Sequence, residues 1–259
     1  FDEINKVLLR KLASHGLRPG EDVVVMVVND GEVDLFLNWA CSVAAYDLRS
    51  VMQRVLVFAG SKEVVPLIEL TGAMAVASES FGKVSRHSSY GYLDSIFVDM
   101  MWFKAFSVYL LLRLRYNVLF QDVDLVWFRD PFPYFQSYGH AAETDPHGGS
   151  TNSKSNDYSG STRSAEVKVA EINQHFGQSV HPEAFFSDDG QRTLRYTPFY
   201  ANSGFYYLLA NDRTEHFAWS ILTAFDVLQA TGSHQNVFTL RLLEGIDLTR
   251  IHPKLLPLG

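Results

Sequence analysis

The 259-residue chain has a single cysteine, Cys41, which excludes an intrachain disulfide and a zinc site built from cysteines. It has no block rich in Lys and Arg and carries a formal net charge of −7, so the electrostatic footprint of a nucleic-acid-binding surface is missing. No uninterrupted apolar run approaches the roughly 18 residues that read as a membrane span, and no secretory h-region opens the chain. A membrane span is therefore not expected in this chain. No internal repeat is evident, and no initiator Met precedes Phe1; with the abrupt stop at Gly259, this predicts a fragment of a longer precursor. Anionic ligands would have to be met by a metal or by a local cation.

Apolar residues make up 47% of the chain, enough for one sizeable core, and residues 1–259 are expected to form one domain. Residues 22–29 (Asp-Val-Val-Val-Met-Val-Val-Asn) are a continuous β-branched run, the signature of a strand covered on both faces. A turn at 29–31, a helix over 35–46 and a second buried strand over 54–60 complete a βαβ unit. A helix over 61–71 and a strand over 73–77 follow, and residues 94–113 predict a helix that is apolar nearly all round and buried against the sheet. Strands alternating with helices imply an α/β fold with a mostly parallel sheet, helices on both faces and ligands beyond the carboxyl ends of the strands.

Residues 136–164 lose their apolar content and predict a long polar loop, either a solvated insertion or a lid. Beyond it the expectation is a helix over 165–176, strands over 184–186 and 205–209, and helices over 214–229 and 233–243. Residues 1–132 would form a nucleotide-binding half and 165–259 an acceptor and donor-sugar half.

Asp122-Val123-Asp124 follows directly on the apolar run 117–121, and the block closes on the turn Asp130-Pro131. Two carboxylates at the end of a buried strand are costly unless they bind a metal or do chemistry. Strand alternation points Asp122 and Asp124 to the same side, where both can reach one hard cation completed by water and phosphate oxygens. The triplet alone is a weak signal; its placement strengthens it.

With this block, the sequence resembles the nucleotide-diphospho-sugar transferase family that includes plant rhamnogalacturonan xylosyltransferases and extensin arabinosyltransferases, enzymes of the GT-A fold. The likeness rests on the opening strand to Asn29 with Leu37-Asn38-Trp39 after it, Phe103-Lys104, residues 117–132, Asn202-Ser203-Gly204-Phe205, and Gln235 with Phe238. It implies a sugar nucleotide, a UDP-sugar, held by Mn2+ or Mg2+ through Asp122 and Asp124, a glycan or glycoprotein acceptor, retention of anomeric configuration, and the Golgi lumen as the site of a type II membrane protein's catalytic portion.

Asn29, Lys104, Gln121 and Val123 are then the candidate nucleotide-binding residues, and Asp188, Asn202, Ser203 and Gly204 the candidate donor-sugar residues. Lys104, the only charged residue between Asp99 and Arg113, either snorkels to water or meets an anion. Asn202-Ser203-Gly204 is expected to precede an apolar strand, Gly permitting close approach and Asn supplying donor and acceptor. Gln235 and Asp189 are the catalytic candidates. His234 stands where related retaining enzymes often carry Asp, leaving Gln235 to steady a developing oxocarbenium centre. His252 is a candidate third metal ligand by analogy with distant relatives of the fold.

Two other readings compete. A haloacid-dehalogenase-like phosphatase would use Asp122 as nucleophile and Asp124 as acid, although its motif opens a domain rather than following three strands. A non-catalytic sugar-nucleotide or carbohydrate-binding module would explain the missing acid beside Gln235.

Overall fold

The computed structural model describes residues 2–77, 87, 94–139, 181–190, 199–231 and 233–256. Among them, seven strands form one sheet: β1 (Asp22–Val28), β2 (Val55–Ala59), β3 (Met74–Val76), β4 (Asn117–Gln121), β5 (Ala184–Asp188), β6 (Ala201–Leu208) and β7 (Pro253–Leu255). Their order is β3-β2-β1-β4-β6-β5-β7. The first four run parallel, β6 is antiparallel to both β4 and β5, and β7 is parallel to β5. β6 is thus the single reversed strand of a mostly parallel sheet.

The helices are α1 (Asp2–Ser14), α2 (Val33–Ala45), α3 (Val65–Glu69), α4 (Ser95–Arg113), α5 (Phe132–Gly139), α6 (Asp212–Thr223), α7 (Phe225–Thr231) and α8 (His234–Leu248), with a 3-10 turn at Arg49–Arg54. Strand alternation divides them between two cores. Val23, Val25, Val27, Val118, Phe120, Tyr206 and Leu208 point to the side of α1, α4, α6 and α8. Val24, Met26, Val28, Leu119 and Tyr207 point to the side of α2, α3 and α5. Every residue of β1 and β2 is buried, because both faces of the sheet are covered there, which is why these strands lack polar alternation.

The central helix α4 is long and apolar enough, by length and composition, to cross a membrane, with a mean hydropathy of 1.5. It instead packs between the sheet and α6, with Leu110, Leu111 and Leu112 fully buried. Asp94 caps its start by accepting a hydrogen bond from Phe97 N at 2.7 Å. At the foot of β1, the buried Asp22 carboxylate accepts hydrogen bonds from Tyr207 Oη (2.6 Å), Asn117 Nδ2 (3.0 Å) and Gln136 Nε2 (3.1 Å). This network ties β1, β4, β6 and α5 together at the edge away from the site.

Several expectations are corrected. β6 begins at Ala201, so Asn202-Ser203-Gly204 lies inside a strand and not ahead of it. The expected helix over 214–229 is two, α6 and α7, parted at Ala224. α5 reaches Gly139 and takes over the first residues of the expected polar loop. The rest of that loop and the helix expected over 165–176 lie outside the described residues. α1, anchored by Ile4, Leu8 and Leu12 one turn apart, and the short closing strand β7 were not anticipated.

Candidate active site

The rim of the sheet where β1 and β4 end gathers the residues that the sequence singles out. Parity along β4 decides their directions. Val118 and Phe120 face α4, so Asp122 continues towards α4, where Lys104 Nζ donates to Asp122 Oδ1 at 2.5 Å. Gln121 faces the opposite way, fully buried; its Oε1 accepts from Trp127 Nε1 at 2.6 Å and its amide nitrogen lies 3.8 Å from Met26 Sδ.

The reversed strand brings in the second half of the site. Asp122 N donates to Gly204 O at 2.8 Å, and Gly204 N donates to Asn202 Oδ1 at 2.7 Å. Asn202 Nδ2 donates to Asp189 Oδ1 (3.1 Å), Gln235 Nε2 donates to Asp189 Oδ2 (3.0 Å), and Gln235 Oε1 accepts from Ser203 N (3.2 Å). Asp189 is thereby held between two amides whose orientations are fixed by their other partners. Residues from β4, β5, β6 and α8 become one connected array.

Gly204 is needed for this approach. A Cβ there would lie 2.8 Å from Asp122 Oδ2 and 3.1 Å from Asn202 Oδ1. The absent side chain leaves Oδ2 open, while Oδ1 is engaged by Lys104.

Asp122 and Asp124 stand on the wall between two cavities. The larger, about 550 Å3, is bounded by Asp122, Asp124, Phe128, Arg129, Asn202 and Gly204. The smaller, about 190 Å3, lies towards the end of β1 and is bounded by Glu32, Phe97, Met101, Lys104, Asp122 and Asp124. Glu32, at the N-cap of α2, has no sequence motif to mark it; only its position just beyond a strand's carboxyl end hinted at a role. Burial raises its pKa, the Lys104 charge lowers it, and the Asp122 and Asp124 charges raise it further.

Four sequence-predicted residues are occupied elsewhere. Asn29 is fully buried, its Oδ1 accepting from Gly31 N (3.0 Å) and its Nδ2 donating to His87 O (3.1 Å), so it shapes the turn after β1. Gln121 fastens the Trp127 segment to the sheet, and the Val123 side chain is packed in the α2-side core, although it also borders the smaller cavity. Asp188 Oδ1 accepts from Gly190 N (3.2 Å) and Tyr200 N (2.9 Å), closing a turn. His252 is the clearest correction. Its backbone carbonyl accepts from Glu183 N at 2.9 Å where β7 enters beside the first residue of β5. Counting strand spacings and residue rises, it lies on the order of 20 Å from Asp122, at the opposite edge of the sheet, too far to share its cation.

Among the described residues no three His, Cys, Asp or Glu side chains gather into a metal-holding group. Two carboxylates beside an open cavity fit Mg2+ or Mn2+, which take one or two protein oxygens and leave the remaining positions to water and phosphate. The unobstructed Asp122 Oδ2 over Gly204 is consistent with that.

His234, next to Gln235, turns into the core, its ring centroid 6.2 Å from that of Phe238. Neither ring nitrogen has a hydrogen-bond partner among the described residues. Burial, and secondarily the Lys104 charge, push its pKa down to about 3 from 6.5. It is therefore neutral in the folded protein at pH 7, while an unfolded chain takes up a proton near pH 6.5, so stability falls as pH drops from about 6.5 towards 3. In His234→Leu, urea midpoints at pH 7 and pH 4.5 should differ by less than in the parent; an equal difference would remove His234 from the acid response.

A sheet with one reversed strand, bearing paired carboxylates on a cleft at the carboxyl ends of its parallel strands, defines a GT-A-like domain. The model of the nucleotide-diphospho-sugar transferase family matches residues 50–257, and the chain belongs to that family. The chain is also similar to beta-arabinofuranosyltransferase RAY1 of Arabidopsis thaliana, 29% identical over 126 residues, which cover 48% of this chain and 23% of that relative. The matched part thus spans less than a quarter of the relative's length.

Proposed function

We propose that the domain is a metal-dependent, retaining glycosyltransferase that moves a sugar from a UDP-sugar to a glycan or glycoprotein acceptor. The observation that carries this reading is the position of Asp122 and Asp124 on the wall between the two cavities, with Lys104 against Asp122 Oδ1 and the Asn202-Asp189-Gln235 array reached from Asp122 through Gly204. Family membership supports nucleotide-sugar chemistry. Likeness to a beta-arabinofuranosyltransferase makes a pentose donor the first to try.

In this reading the nucleoside lies in the smaller cavity near Glu32 and α4, and the donor sugar and acceptor share the larger one. Asp122 and Asp124 hold Mn2+ or Mg2+, which when bound supplies Lewis-acid stabilisation of the diphosphate leaving group. Lys104 adds a second positive charge on the α4 side. Asp189 and Asn202 offer acceptors and donors to sugar hydroxyls. Gln235, a neutral amide and a poor base, contributes by holding Asp189 and by presenting a dipole to a centre that gains positive charge. Retention comes from the family resemblance. So does the Golgi lumen as the compartment of this catalytic portion.

The phosphatase reading is disfavoured because three parallel strands precede the Asp122 motif, which in a haloacid-dehalogenase-like phosphatase opens the domain. Calorimetric titration with UDP, with and without Mn2+, followed by hydrolysis of UDP-arabinofuranose, UDP-xylose, UDP-galactose and UDP-glucose, tests the proposal. A transferase binds UDP strongly only with metal and slowly hydrolyses one of these donors. Metal-dependent UDP binding with no hydrolysis of any donor points to the binding module, and preference for phosphomonoesters points to the phosphatase.

A further inference from the structure

Lys104 sits in an unusual position for a residue that is to meet phosphates. Its ammonium is already committed, 2.5 Å from Asp122 Oδ1, with the two side chains 14% and 32% exposed. Among the described residues Asp122 pairs with no other cation. The same ammonium stands 5.9 Å from the Phe120 ring centroid and acts through space on Glu32 and His234. Its charge therefore reaches much of the rim while its contact is with one carboxylate oxygen.

We propose that Lys104 is a resident counter-ion that must leave Asp122 before that carboxylate can hold a divalent cation, and that the nucleoside diphosphate is what draws it away. This rests on the metal-dependent reading above and adds a regulation of the same site. A divalent ion seated at Asp122 with Lys104 still in place would lie within roughly 4–5 Å of a like charge at a partly desolvated rim, an arrangement that Coulomb repulsion disfavours. The pair is not deeply buried, so it separates without stranding either charge in the core.

A diphosphate entering the smaller cavity, which Lys104 itself lines, offers the flexible lysine stem another anion. Once Lys104 turns to the phosphates, Asp122 presents both oxygens, Oδ2 having been kept clear by Gly204. Metal and nucleotide then favour each other's binding, and by linkage the effect is the same in both directions. The consequence for the enzyme is a site that takes up metal poorly until a donor is present.

Mn2+ titrations of the whole domain followed by electron paramagnetic resonance of the free ion, with and without saturating UDP, test this on the parent, Lys104→Met, Lys104→Gln and Lys104→Arg. The neutral Met and Gln variants should bind Mn2+ without UDP about tenfold more tightly than the parent, and the tightening produced by UDP should shrink by a similar factor. Lys104→Arg, which keeps the charge, should behave as the parent does. If either folded neutral variant binds Mn2+ without UDP no better than the parent, Lys104 is not the competing cation, even where UDP and Mn2+ still cooperate. If the parent takes up no Mn2+ at saturating UDP, the metal-dependent reading falls and this proposal with it.

Discussion

Asp124→Asn is expected to lower sugar transfer by at least about a thousandfold, equivalent to roughly 4 kcal/mol of transition-state stabilisation, while barely moving the melting temperature of the metal-free protein. The separation of the two effects follows from the surroundings of this residue. Asp124 is exposed and makes no hydrogen bond or ion pair with a described residue, so replacing it costs no packing and strands no partner. Its neutral amide retains the shape but loses the charge that a hard cation requires. Asp122→Asn is the less clean experiment, because it also releases Lys104 and so mixes loss of the proposed metal oxygen with loss of an ion pair. Steady-state donor hydrolysis and thermal melts without metal give the two readouts. Near-parental turnover by Asp124→Asn would remove the paired carboxylates from the chemistry.

Gly204→Ala should be almost as damaging to activity, by about a hundredfold or more, and should also cost about 1–3 kcal/mol of stability. The added methyl would meet Asp122 Oδ2 at 2.8 Å and Asn202 Oδ1 at 3.1 Å, closer than real side chains tolerate. Relief requires Asp122 to rotate, disturbing Lys104, or Asn202 to let go of Gly204 N and Asp189. Either movement opens the array that joins Asp122 to Asn202, Asp189 and Gln235. Urea unfolding and donor turnover measured on the same preparation separate the two losses. A variant with parental stability and parental turnover would mean that Gly204 merely continues the strand.

The value of Gly204 could not be read locally. Asn202-Ser203-Gly204 has the composition of a turn, and strand propensity disfavours both Asn and Gly. Tertiary pairing overrides that preference, because β6 is held between β4 and β5 by ladders flanking this segment, while Ser203 N and Gly204 N are met by Gln235 Oε1 and Asn202 Oδ1 and Gly204 O by Asp122 N. The same reversal brings Asp189 and Gln235, remote from Asp122 in sequence, into one hydrogen-bonded array. Asn29, Gln121 and Asp188 illustrate the converse. Each has the residue type and strand-end position of a ligand contact, yet each spends its polar atoms on a turn or a buried neighbour. Nothing in a local pattern distinguishes an amide that binds a ligand from one that fastens a loop. His252 looked like a ligand from its chemistry alone; the register of β7 against β5 puts it at the opposite edge of the sheet.

By itself the sequence determined the α/β architecture, because continuous apolar strands such as 22–28 and an all-round apolar helix such as 95–113 are stable only when covered on both sides. It also determined that two carboxylates follow closely on β4; strand alternation does not set their common side, because β4 ends at Gln121 and Asp124 lies in the turn beyond it. Only the tertiary structure decided what that pair faces: Lys104 on one oxygen, Gly204 under the other, Glu32 nearby and the Asn202-Asp189-Gln235 array beyond. Those meetings depend on strand order and register between distant segments, where one step of register turns a side chain to the opposite face.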